Sequence, residues 1–365
     1  MFELTNEQRR CFALPPVLDT WKKIEVKAGP YDDYVTYAYL DGSRITKVIE
    51  VSDITGREKY CEYGVDQKLS DDGTMILPRT VKGKTKKFTA PNLVNKTSVG
   101  MTLSFESDYI SVANSTTQQC YYRSIYTIDK IKTLQEFSDW IDVWCSNTGD
   151  AELAEIREFS ESKRIHQKFR EGDFFRYRID RNLYGYGRIL VDYGKLRKDG
   201  IPFWDIFMGK PLCVAVYHVA TPDANVSPEE LVCMKMLPAQ MIMDNIFYFG
   251  ECEIIGNIPI TPDENNYTIH YGRSINPRES RICYQCGKTF ASIEDGELIG
   301  SHGFTNHAIG WTLKVRLPVI LECIKEKSNA PYWNSIPEWH FQTLQNPKYA
   351  IYLSRIKVQM GIDEQ

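Results

Sequence analysis

The sequence predicts an α+β protein: two β-rich domains with mainly antiparallel sheets, connecting helices and a helical C-terminal tail. Three observations carry this. Short β-branched and aromatic runs separated by polar turns recur through residues 34–126 and again from 171 to 290. Two amphipathic segments with capping signals lie between them, and after about residue 304 the pattern turns helical. The chain has 365 residues, and at roughly 150 residues per domain that is room for about two domains. The expected division is an N-terminal antiparallel sheet domain over 1–130, connecting helices over 131–170, a second β-rich domain over 171–300 and a helical segment over 301–365.

The first domain opens on Tyr34–Leu40, the dipeptide Asp41-Gly42 and a second strand over Ile45–Val51. Asp-Gly supplies the positive φ angles of a type I′ hairpin turn, whose twist matches antiparallel strands. A second hairpin is expected from Tyr60 to Leu77, turning near Asp72-Gly73, followed by strands at Met101–Phe105, Tyr109–Ala113 and Gln119–Tyr126. Thr133 and Glu136 have the spacing of a capping box, and Leu134, Phe137, Ile141 and Trp144 then recur on one helical face. Asp150 is placed to cap the next helix, whose narrow apolar stripe of Leu153, Ile156 and Phe159 suits a connector. Strands follow at Phe174–Ile179, Tyr186–Val191, Leu212–Val219, Ile246–Ile255 and Arg281–Phe290. They are interrupted by a short helix with a Ser227/Glu230 capping box and Pro228 in its first turn. Asn346-Pro347 starts a final helix with Tyr349, Tyr352, Leu353, Ile356 and Met360 on one face, stopped by Gly361.

Hydrophobic residues make up 42% and the net charge is only −4, which excludes disorder for most of the chain. Ten scattered cysteines are too few for a disulfide scaffold; several sit inside apolar runs, as buried thiols do in a reducing compartment. Glu3, Glu7, Arg9 and Arg10 stand where a signal peptide needs an apolar core, and no uncharged apolar run approaches a membrane span. A cytoplasmic protein without a membrane partner is expected.

Cys283-x₂-Cys286 followed by His302-x₄-His307 has the spacing of a Cys₂His₂ zinc site. Against it, Gly296, Gly300 and Gly303 interrupt the helix that would carry both histidines, and in a strand the two cysteines point to opposite faces. The alternative is a strand with Ile282, Tyr284 and Cys286 facing one way, and no metal or cofactor is expected. Two segments are basic: Arg79–Lys96 has six Lys or Arg and no acid, and Glu161–Arg188 has eight against four acids. The first reads as a solvated loop and the second as a helix C-terminus followed by outward strand positions, so nucleic acid is not the expected partner. There is no Walker loop, His-Glu-x-x-His or Gly-x-Ser-x-Gly. Gly185-Tyr186-Gly187 reads as a bulged β segment, and His218 as a core or sheet-face histidine.

Glu171-Gly172-Asp173-Phe174-Phe175-Arg176-Tyr177 followed by Tyr184-Gly185-Tyr186-Gly187-Arg188-Ile189-Leu190 resembles the opening of the bacterial immunity protein 26 family. Pro211–Tyr217 and Ile255-Gly256-Asn257-Ile258-Pro259 extend the resemblance, which covers about residues 171–290 and makes 171–300 the immunity protein 26-like domain. It implies a protein that neutralises its cognate polymorphic toxin by stoichiometric binding and is not an enzyme. The same grouping is linked by name to an organophosphate-hydrolysing protein, so a metal-dependent phosphoester hydrolase is the alternative, although no persuasive ligand set exists among the six histidines. The toxin-binding residues expected are Tyr184, Tyr186, Arg188, Trp204 and Asp205, because Tyr, Trp and Arg dominate protein–protein hot spots. The toxin's identity and the oligomeric state are not set by the sequence.

Overall fold

The computed structural model describes residues 2–71, 73–75, 79–93, 98–106, 109–126, 131–198, 210–237, 239–262, 264, 267, 269–273, 281–294, 296–300 and 350–362. The chain divides into two compact units, Met1–Ile165 and His166–Gln365. Every strand pair in both is antiparallel, and helices join the sheets, so the class is α+β.

The first unit is a seven-stranded sheet. After α1 (Asn6–Arg10) come β1 (Lys22–Val26), β2 (Val35–Asp41), β3 (Arg44–Ser52), β4 (Lys59–Lys68), β7 (Ser98–Glu106), β8 (Tyr109–Asn114) and β9 (Gln119–Arg123), each hydrogen-bonded to the next. Between β4 and β7 a small hairpin, β5 (Thr74–Met75) with β6 (Lys86–Lys87), and α2 (Ala90–Leu93) fold out of the sheet. Alternation along the strands fills both faces. One face buries Tyr39, Ile49, Tyr60, Leu103, Phe105 and Val112 against the helices α3 (Leu134–Ser146) and α4 (Asp150–Glu161). The other face buries Ala38, Ile45, Val48 and Val65 under Met75, Ala90 and Leu93.

The hairpin expected at Asp41-Gly42 forms one residue later. Asp41 pairs with Arg44, so Gly42 and Ser43 are the loop, and only Gly42 is left-handed (φ +58°). That is the sign pattern of a glycine-first two-residue turn, not of type I′. The second turn closes with Gly73 N–H donating to the Ser70 carbonyl (2.8 Å), while β4 finds its partners in β3 and β7. Thr133 and Glu136 do form a capping box, and Phe137, Ile141 and Trp144 are the buried face of α3. Asp150 is the first residue of α4 and not its cap; Glu152 reaches back to the Gly149 N–H (2.9 Å) instead. The stretch 131–170, read from the sequence as connecting helices, supplies α3 and α4 to the core of the first unit, because Trp144 and Ile156 pack on its sheet.

A buried charge cluster fastens the N-terminal strap, residues 3–17, to this sheet. Glu62 on β4 accepts from Arg9 Nε (2.8 Å), from the Tyr60 hydroxyl (2.6 Å) and from Lys47 Nζ, and Lys47 also donates to the Pro15 carbonyl. Burial lowers the Lys47 ammonium from its ordinary value, with Glu62 opposing. Arg9 and Lys23 both reach Glu3 (3.2 and 2.6 Å), completing the clasp.

The second unit begins with β10 (Asp173–Asp180) and β11 (Leu183–Asp192), then α5 (Tyr193–Lys198), β12 (Pro211–Thr221), α6 (Pro228–Leu231), β13 (Gln240–Met243), α7 (Asn245–Tyr248) and β14 (Cys252–Asn257). These strands form a five-stranded sheet in the order β13-β12-β11-β10-β14. The single strand expected at Ile246–Ile255 is α7 followed by β14, separated by Gly250 (φ +69°). A second sheet joins β15 (His270–Arg273), β16 (Ile282–Cys286) and β17 (Thr289–Ile293). The stretch Arg281–Phe290 is thus a hairpin turning at Gly287, not one strand. The C-terminal helix α8 (Ala350–Gln359) lays Ile356 and Met360 on that sheet, and Gly361 (φ +64°) ends it. Its expected start at Asn346-Pro347 lies outside the described residues.

Candidate protein-binding face

The motif residues of the second unit converge on one seam. Gly172 sits just before β10 at φ +86°, and a Cβ there would lie 2.5 Å from the Ile258 carbonyl oxygen, so only glycine fits. Its N–H donates to Ile189 O (2.8 Å), and its carbonyl accepts from Ile258 N–H (3.2 Å). Asp173 accepts from Asn257 Nδ2 (2.7 Å) and from Arg170 N–H (2.7 Å). Asn257 also donates to Glu171 O (3.0 Å). The Gly-Asp opening of β10 and the Gly-Asn-Ile-Pro end of β14 are therefore two halves of one clip.

Arg188 closes the clip from β11. It is fully buried, its guanidinium lying 4.5 Å from the Phe174 ring centre. Nη2 donates to the carbonyls of Ile258 (2.6 Å) and Pro259 (3.0 Å), and Nη1 meets Glu264 Oε1 at 2.5 Å. Burial pushes the neighbouring Tyr217 phenol up to about 12, with Arg188 opposing. Gly185 and Gly187 flank a register shift against β12, and a Cβ at either would enter the ring of Tyr177 or Phe175. Tyr186 is buried as well, donating its hydroxyl to Asp223 O (2.6 Å). The expected toxin contacts Tyr186 and Arg188 thus have no side-chain surface to offer a partner, because the loops after β12 and β14 have taken their polar atoms.

Tyr184 differs. It stands half-buried near the start of β11, close to two guanidiniums of β10: Arg176 lies 5.2 Å and Arg178 5.4 Å from its ring centre. Arg176 pairs with Glu253 on β14 and donates to Ala224 O, while Arg178 donates to Arg181 O. Partly buried Val219, Val226 and Ile255 pack around the same cluster. After α6 the chain leaves Val232 and Met234 about 40% and 36% exposed. Tyr184 is therefore a partly buried ring with two guanidiniums close by and apolar side chains packed around it. Within the basic stretch 161–188, Arg170 pairs with Asp173, Arg176 with Glu253 and Arg188 with Glu264. Of this cluster the sequence singled out Tyr184 and not Arg176 or Arg178, whose i, i+2 spacing on β10 places them on one face. Trp204 and Asp205 lie outside the described residues.

The zinc spacing is also resolved in part. Cys283 packs with Leu190, Val191 and Cys213, whereas Cys286 packs with Ile282, Tyr284 and Ile356, on opposite sides of β16. Burial raises the Cys286 thiol to about 12. His302 and His307 lie outside the described residues. Among the described residues no cluster of three or more His, Cys, Asp or Glu could hold a metal, and no helix is long and apolar enough to cross a membrane.

Residues 170–281 match the family model described as Immunity protein 26, the family resembled by the sequence motifs. The match begins three residues before β10 and ends at the residue before β16. No curated protein and no solved structure matches the chain.

Proposed function

We propose that this protein neutralises a bacterial protein toxin by binding it stoichiometrically, with the face around Tyr184, Arg176 and Arg178 as a contact surface. One observation carries the reading. The segment matching Immunity protein 26 includes the clip and the five-stranded sheet, and Tyr184 stands partly exposed on it with Arg176 and Arg178 close to its ring. A tyrosine held in this way loses little conformational entropy on binding, so most of its contact energy remains available. Inhibition follows from occupancy: a bound immunity protein covers the toxin's active site or its target-binding surface, and no bond is made or broken.

The test is co-purification from cells expressing candidate toxins. A one-to-one complex is expected, and Tyr184→Ala with Arg178→Glu should weaken it about tenfold or more, the loss typical of a hot-spot pair. Protection of toxin-expressing cells should fall in parallel. Undiminished binding and protection in the folded double variant would remove this face from the interface. Turnover of a chromogenic phosphotriester that a chelator abolishes would favour a hydrolase instead.

A further inference from the structure

We propose that a groove in the first unit, between the N-terminal strap and α4, is a docking site for an acidic protein segment bearing an apolar side chain. It lies outside residues 170–281, so it is independent of the toxin-binding reading. The groove has a volume of about 460 Å³, within the range of small-ligand and side-chain pockets, and it is open to solvent. Leu14, Leu153 and Ile156 form its floor, and Arg10, Arg157 and Glu161 stand at its rim.

Two features separate it from an ordinary surface crease. First, its strap wall is fixed before any ligand arrives. Asn6 grips Val17 in both directions, accepting from its N–H and donating to its carbonyl (both 2.8 Å). Buried Lys47 holds the Pro15 carbonyl from behind. Preorganised walls of this kind reduce the entropic cost of docking. Second, neither Arg10 nor Arg157 has a side-chain hydrogen bond or ion pair among the described residues. By contrast, Arg9, Arg44 and Arg57 in the same unit are paired with Glu62, Asp66 and Asp33. Two uncommitted guanidiniums beside an apolar floor match carboxylates flanking an aliphatic or aromatic side chain, which arginine binds in bidentate fashion. Among the residues lining the groove two arginines face one acid, Glu161. Nucleic acid fits poorly, because the floor is apolar and only two cations line it. A fatty acid would call for an enclosed apolar tunnel, and the groove is open.

The test uses the full chain and fluorescence anisotropy with a labelled peptide of alternating glutamate and leucine. Saturable binding in the range of tens of micromolar is expected, falling at least tenfold in an Arg10→Glu, Arg157→Glu double variant. Both positions are exposed, so that variant should stay folded. A matching peptide of lysine and leucine should bind the wild type more weakly and the double variant more strongly. Arg57→Glu, at an exposed pair elsewhere, should leave both affinities unchanged. Equal affinity of the wild type for both peptides, an undiminished double variant, or saturable binding of dodecanoate with none of the acidic peptide would each overturn the proposal.

Discussion

Arg188 joins a strand, an aromatic ring and a loop some seventy residues away, and it does so without exposed surface. Removing one member of a buried ion pair leaves the other charge uncompensated, at about 3–5 kcal/mol. Arg188→Ala should therefore lower the stability of the second unit by that order in urea unfolding. A double variant, Arg188→Met with Glu264→Leu, should recover much of the loss, since well-packed apolar replacements remove both charges together. The sequence marked Arg188 as a contact because arginine, with Tyr and Trp, dominates protein–protein hot spots. It carries no sign that Ile258, Pro259 and Glu264 will fold over that side chain. Tyr184, four residues earlier on the same strand, stays half-buried. His218 supplies a pH test. Burial, aided by Lys235, holds its imidazole down to about 4 from 6.5. Between those values the unfolded chain takes a proton that the folded chain refuses, so stability falls as pH drops through that window and levels off below it. The loss is about 3 kcal/mol at most, and His218→Gln should flatten the slope of Tm against pH between 6.5 and 4.

Among the elements, those with a strictly local signature were the ones readable from sequence. Both capping boxes, Thr133 with Glu136 and Ser227 with Glu230, form as their spacing requires, because four consecutive residues contain the whole device. Thr133→Ala should cost about 1 kcal/mol, seen as a lower Tm of the first unit. Elements defined by partners distant in sequence were not readable. β13 and β15 have four residues each and exist because β12 and β16 offer them edges. Ile246-Phe247-Tyr248 has strand-forming side chains, yet it coils as α7, burying Ile246 and Phe247, the latter against Phe175. The strap shows a third case. Ala13 holds φ +50° where α1 ends, with Leu14 N–H donating back to Arg9 O (3.0 Å), a helix-stop geometry that favours glycine. Ala13→Gly should raise stability by about 0.5–1 kcal/mol, and a lower Tm would show that the alanine methyl matters more to the groove wall than backbone strain does.

At the scale of the whole molecule, a net charge of −4 conceals unequal uses of charge in the two units. In the first, Glu62, Lys47 and Arg9 are buried beneath the strap; in the second, Arg188 and Glu264 are buried at the clip. Each unit also closes its own hydrophobic core: Tyr60, Phe105 and Phe137 in one, Phe174, Tyr186 and Tyr217 in the other. Damage to one charge cluster should then stay within its unit. Glu62→Gln leaves two buried cations facing a neutral amide, a loss of about 3–5 kcal/mol. In hydrogen exchange followed by mass spectrometry, amides of β3, β4 and α3 should exchange faster in this variant, while those of β10, β11 and β14 keep their wild-type protection. Arg188→Ala should produce the opposite pattern. Loss of protection across both units from either substitution would mean that the chain unfolds as one cooperative body. The acidic-segment groove and the Tyr184 face would then have to be treated as coupled sites, because strain at one would reach the other through a shared equilibrium.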